Sequence, residues 1–174
     1  MWRRSRLSPE AMTVRQLSRI ALMAAMMEVV FTMFSGILYL EAITLTIAVI
    51  AVVFDRREAV LAALVFTITN MLIQGVSIWT FAYCLIYPLY ALIFSFSRKV
   101  ILDHRWLAVV MVGLCSFATG QLLDIPFILF SPKVTMIYIL MGLKTSFLQG
   151  SLSALEALFL FDPLVDRLMK LERK

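Results

Sequence analysis

Histidine occurs once, cysteine twice and glycine six times in 174 residues, and only 16% of the residues are charged. No His, Cys or Asp cluster has metal-ligand spacing, and the lone His104 falls in a short charged segment, so the sequence offers no metal site. Cys84 and Cys115 both lie within apolar runs and read as buried small hydrophobes, not as a disulfide framework. No GxxxxGK loop is present to cradle nucleotide phosphates. The expectation is a chain with no catalytic residues and no intrinsic cofactor.

What is present in excess is apolar surface. Hydrophobic residues make up 62% of the chain and the mean hydropathy is +0.94, against about half apolar and a quarter charged in ordinary soluble domains. A chain of this size holds one core and cannot hide so much apolar surface from water. Several runs approach the roughly 20 residues needed to cross a bilayer. The fold class that follows is all-α: a polytopic membrane protein forming a single integral domain over residues 1–174. The first apolar run has spanning length and leads into further spans, so it reads as retained and not as a cleaved signal segment. The net charge of +5 belongs to loops flanking spans, and nucleic acid is not an expected partner.

Six spans account for the pattern: Ile20 to Phe34, Ala42 to Phe54, Ala59 to Gln74, Ile78 to Phe96, Trp106 to Phe130 and Thr145 to Phe161. The last is expected to stop before Asp162-Pro163. Lys133 to Leu143 is apolar but short, Lys144 breaks the run, and the segment reads as interfacial or re-entrant. Of the sixteen Lys and Arg residues, only Lys133 and Lys144 fall on the side opposite the N-terminus. The positive-inside rule therefore predicts both termini in the cytoplasm. A seven-span count would put the basic tail outside.

With about 1.5 Å of rise per residue, most polar residues of the spans fall toward the outer face. Glu28 lies in the outer half of span one, Asn70 and Gln74 near the end of span three, Gln121 and Asp124 in the outer third of span five, and Gln149 in span six. Trp79 and Tyr83 begin span four, while Tyr39 and Glu41 sit on the first outer connection. Glu156 is the exception, near mid-depth. Polar groups in hydrocarbon are costly and face a cavity, a bundle interior or a partner. Their concentration favours an outward pocket with aromatic walls over polar contacts between helices alone. The expected ligand-binding set is Glu28, Asn70, Gln74, Trp79, Tyr83, Gln121, Asp124 and Gln149.

Span one also carries small residues four apart, Ala21 and Ala25, within RIALMAAMM, with Ser18 one turn earlier. Such a strip permits close contact between membrane helices. Together with the chain's size, its six spans, its inside termini and its basic N-terminal arm, this resembles the substrate-capture subunit, or S component, of energy-coupling factor (ECF) vitamin transporters. The similarity extends over nearly the whole chain. It implies that Ala21 and Ala25 meet the ECF transmembrane coupling subunit, and that two cytoplasmic ATPases supply ATP-driven uptake. It further implies a capture subunit that topples in a prokaryotic cell membrane to release its vitamin inside. The lysine-asparagine pair of the riboflavin-binding branch is absent, since ITNMLIQG has Asn70 without a preceding lysine, and the biotin and thiamine branch signatures are absent too.

The expected function is capture of a vitamin from outside. Asn70, Gln74, Gln121 and Gln149 would hydrogen-bond it, Trp79 and Tyr83 would pack against it, and Asp124 and Glu28 would accept from its NH or OH groups. With only Lys133 and Lys144 outside, a neutral, large or aromatic vitamin is favoured. Cobalamin is the first choice, and riboflavin, pantothenate and a thiamine precursor stay open. The competing readings are an ion-coupled secondary carrier and a membrane scaffold subunit. No inverted half-repeat of the kind secondary transporters use is apparent.

Overall fold

The computed structural model describes residues 12–37 and 39–172, so Arg3, Arg4, Arg6 and Glu10 of the basic arm lie outside the described residues. The secondary structure of the described residues is all helical, without strands. Six α-helices follow one another: α1 Val14–Phe34, α2 Ile43–Val53, α3 Arg56–Gln74, α4 Ile78–Asp103, α5 Trp106–Leu122 and α6 Pro132–Glu172. A 3₁₀ segment, Ile125–Leu129, links the last two. Helices α1, α3, α4, α6 and the run from α5 through the 3₁₀ segment are long and apolar enough to cross a membrane, and α2 is not.

Local chemistry explains the boundaries. Thr13 and Gln16 form a capping box at the start of α1, and Ser77 with Thr80 does the same for α4, each satisfying N–H groups that a helix start leaves unpaired. Gly75, at φ 91°, ends α3 in a conformation that a residue with a Cβ rarely adopts.

The helices alternate in direction, and ion pairs gather one set of their ends. Arg19 of α1 reaches Glu58 of α3 at 2.8 Å and Glu172 of α6 at 3.3 Å. Arg105, just before α5, reaches Asp162 and Asp166 of α6. This basic end holds the starts of α1, α3 and α5 and the ends of α2, α4 and α6. The connections 35–42, 75–77 and 123–131 lie at or below the opposite end.

Helix α2 is the centre of the packing. Ten of its eleven residues are buried, and every other α-helix touches it. At about 1.5 Å per residue it covers only about half of a 30 Å hydrocarbon core. Its last carbonyls have no partner within the helix, and the Arg98 guanidinium of α4 donates to Val53 O at 3.2 Å and Phe54 O at 3.4 Å. The second expected span is thus a half-length core helix. Leu40, Glu41 and Ala42, which lead into it, are already partly buried.

Helix α6 differs more. Its 41 residues run without a break through Lys133 to Leu143, expected to be interfacial or re-entrant, through Lys144, and on past Asp162-Pro163. An exposed lysine is a good helix former and gives no reason to stop. Pro163 removes a single amide donor, and the chain continues because Phe161 and Val165 on either side are buried in the bundle.

Helices α5 and α6 make the closest pairing. A Cβ on Gly150 would lie 2.8 Å from the Gly113 carbonyl oxygen and 2.9 Å from Phe117 Cβ, closer than real Cβ atoms come. Gly150→Ala is expected to lower the melting temperature in detergent, with a cost of about 1–3 kcal/mol from overpacking. Gly36→Ala, which meets nothing within 4 Å, should melt with the native protein. Equal melts for the two variants would contradict the close α5–α6 contact.

Candidate functional site

At the end away from the basic residues, a cleft of about 480 Å³ opens between α1, α3 and α4. Phe31 and Ser35 of α1, Asn70 and Gln74 of α3, and Trp79 and Tyr83 of α4 line it. Four of the eight residues expected from sequence depth are therefore in one wall. Helical spacing accounts for this: Asn70 and Gln74 are four apart on α3, Trp79 and Tyr83 four apart on α4, and such pairs share a face. Trp79 is half exposed. Tyr83 stacks on Tyr87 with ring centroids 4.9 Å apart and planes 9° from parallel, and Phe31 meets the Tyr83 ring edge-on at 6.0 Å.

Glu28 stands one hydrogen bond behind this wall. Its Oε1 accepts from Asn70 Nδ2 at 3.3 Å, while its buried Oε2 has no partner among the described residues. An ionised carboxylate only accepts, so Glu28 fixes the Asn70 amide with its NH₂ turned away. The Asn70 carbonyl oxygen is then the group left to meet a donor.

Gln149 lies deeper, in a polar cluster around Glu41. The Glu41 carboxylate accepts from Thr44 Oγ1 at 2.7 Å, from Gln149 Nε2 at 3.0 Å and from Ser116 Oγ. The Ser153 hydroxyl lies 3.0 Å from the Glu41 carbonyl oxygen and 2.9 Å from Ser116 Oγ. One partly buried acid thus ties the head of α2 to α5 and α6. Its charge also sits at the N-terminus of α2, where the helix dipole favours an anion. A void of about 50 Å³ lined by Glu41 and Leu40 shares Phe31 and Ser35 with the cleft. Glu41 thus lines a small void that adjoins the cleft and does not line the cleft itself.

Gln121 and Asp124 are not in the cleft. Gln121 Nε2 donates to Ser146 Oγ at 2.7 Å, and both residues face Gly142 of α6. They fill the α5–α6 interface. Glu156, on α6, has both carboxylate oxygens buried without a partner among the described residues. Ala21 and Ala25 are exposed on α1, on a face shared with Ser18 and Val29.

Sequence reasoning missed Glu41 as a site residue and set it on the first outer connection. The signal was available in the thirteen residues from Ala42 to Phe54, a run too short to span. A helix that cannot cross must begin inside, and so must the residue before it. Tyr39, at φ 64°, marks the descent. A bulky side chain in the left-handed region is an outlier that surrounding structure has to hold in place.

A larger concavity, about 900 Å³, is a different place. It runs along α4 and the 3₁₀ segment, with Phe81, Leu85, Leu89, Leu122 and Ile125 in its walls. It has almost no polar group to orient a ligand and reads as a hydrocarbon-facing groove. No metal-holding group of His, Cys, Asp or Glu occurs among the described residues.

Compared with family models, curated proteins and solved structures, the chain shows no match.

Glu41→Ala leaves Thr44, Ser116 and Gln149 without their acceptor. It is expected to destabilise the protein in detergent by about 1 kcal/mol or more, while Glu41→Gln, which keeps one acceptor oxygen, should lose less. Thermal melts of both variants test this, and native-like melting of Glu41→Ala would mean that the cluster does not hold α2 in place.

Proposed function

We propose that this chain is the substrate-capture subunit of an ATP-driven importer of the ECF type, taking a vitamin from outside. In this reading the chain crosses a prokaryotic cell membrane with both termini in the cytoplasm. Five long helices and the buried α2, with its connection, make up the six passes. The observation that carries the proposal is the cleft at the end away from the arginines, with Asn70, Gln74, Trp79 and Tyr83 in its wall. Flat apolar faces combined with few fixed hydrogen-bonding groups are the usual make-up of a small-molecule site. Positive residues mark the cytoplasmic side of membrane proteins, and that supports a cleft open to the exterior.

The cleft volume, about 480 Å³, lies low in the range of about 300–1,000 Å³ for such sites. It favours a vitamin of one or two rings over cobalamin. Ala21 and Ala25, exposed with Ser18 on α1, supply the flat strip for the coupling subunit, and two cytoplasmic ATPases would act through that subunit. An ion-coupled carrier is the second reading, favoured by Glu41 at the middle of the bundle. ATP dependence separates the two.

In proteoliposomes, uptake is expected to need the coupling subunit and ATP, and to survive collapse of ion gradients. Ala25→Trp should cut co-purification with the coupling subunit at least about tenfold, since a bulky side chain prevents close helix approach, and leave ligand binding by the isolated protein intact. Uptake that persists without ATP but stops with the gradients would overturn the proposal in favour of the carrier.

A further inference from the structure

The cleft has two acids at its margins and no resident counter-ion. None of its lining residues is Lys or Arg. Glu41 lines the small void that adjoins it, and Glu28 stands behind Asn70. Every side chain that bonds the Glu41 carboxylate is neutral: Thr44, Ser116 and Gln149. Among the described residues the ion pairs belong to Arg19 and Arg105, both at the basic end. Two acids in a low-dielectric interior with no cation nearby are expensive, and groups of this kind mark sites that a charged partner completes.

The other contents of the cleft match the same partner. The side chains of Phe31, Trp79 and Tyr83 offer ring faces and edges, and ring faces attract a cation held against them, more strongly where water is excluded. Asn70, fixed by Glu28, turns a carbonyl oxygen toward a donor. Gln74 adds an amide, and Ser77, Thr80 and Tyr83 add hydroxyls that can donate or accept. The lining therefore offers neutral polar groups and ring faces and no positive group.

We propose that the ligand of this cleft is a flat aromatic organic cation, held between Trp79 and Tyr83 with its positive charge directed to Glu41 and its N–H or O–H donors to Asn70. The inference rests on reading the cleft as the capture site, and it narrows that reading to one charge class. It reverses the preference for a neutral vitamin drawn from sequence. That preference counted the scarcity of outer cations but did not set Glu41 beside the cleft.

The test is a binding titration on the purified full-length protein in nanodiscs, with thiamine and benzyltrimethylammonium as cationic probes, riboflavin as the neutral probe and pantothenate as the anionic one. The expected result is that the cationic probes bind and that the neutral and anionic ones bind at least about tenfold more weakly. Glu28→Gln and Glu41→Gln should each weaken the cationic probes by about tenfold or more, in variants whose thermal melts show a folded protein. Riboflavin or pantothenate binding tightly while the cations do not would overturn the charge assignment and leave capture standing. No binding by any probe would overturn both. Cation binding unchanged in both folded variants would remove the role given to the two acids. If Glu41→Gln does not fold, Glu28→Gln and the charge series on the native protein still decide.

Discussion

The arrangement of this protein depends on a helix too short for the layer it sits in. Eleven residues of α2 cannot bridge a bilayer core, so a helix that ends among the basic residues has to start in the interior, where backbone groups have no water to turn to. Each end has a charged side chain beside it. Arg98 covers the carbonyls at one end, and Glu41 places its carboxylate at the other. Nearly every side chain of α2 is then enclosed by the surrounding helices, which fixes their positions relative to one another.

The candidate site is a by-product of the same constraint. Because the chain descends before α2 begins, the space that a full-length second span would fill at that end is left open, and the cleft occupies it. The walls come from α1, α3 and α4, which do reach that end. Glu41, two residues before α2, lines the small void that adjoins the cleft. Candidate site and helix start thus come together at Glu41, whose carboxylate belongs to the cluster with Ser116 and Gln149.

Much of this was legible in the sequence. The long apolar runs identified the long helices. The depth of Asn70, Gln74, Trp79 and Tyr83, with their spacing of four, identified one wall of the cleft. What misled was the treatment of polar residues as one population. Gln121 and Asp124 are at the right depth, but the missing side chain of Gly142 lets them turn toward α6, and nothing in their own spacing reveals that. Lys144 and Pro163 looked like stops because each interrupts an apolar run, yet a helix ends only where its backbone or packing fails, and both positions are exposed while Ser146, Phe161 and Val165 on the same helix are buried. Glu41 was readable from the length of the run it precedes, a cue that depends on what the segment lacks.

Helix α6 gives the molecule a mechanical property. It extends about 60 Å at 1.5 Å per residue, twice the thickness of the hydrocarbon core, and a close backbone contact, Gly150 against Gly113, falls near its middle. A rod gripped at mid-length behaves as a lever with two arms of similar length. A sideways displacement of its Pro132 end would be returned, with opposite sign, at the end where Glu172 meets Arg19. The bare backbone contact between two glycines would serve as the fulcrum, with Pro163 as the compliant point on the far arm.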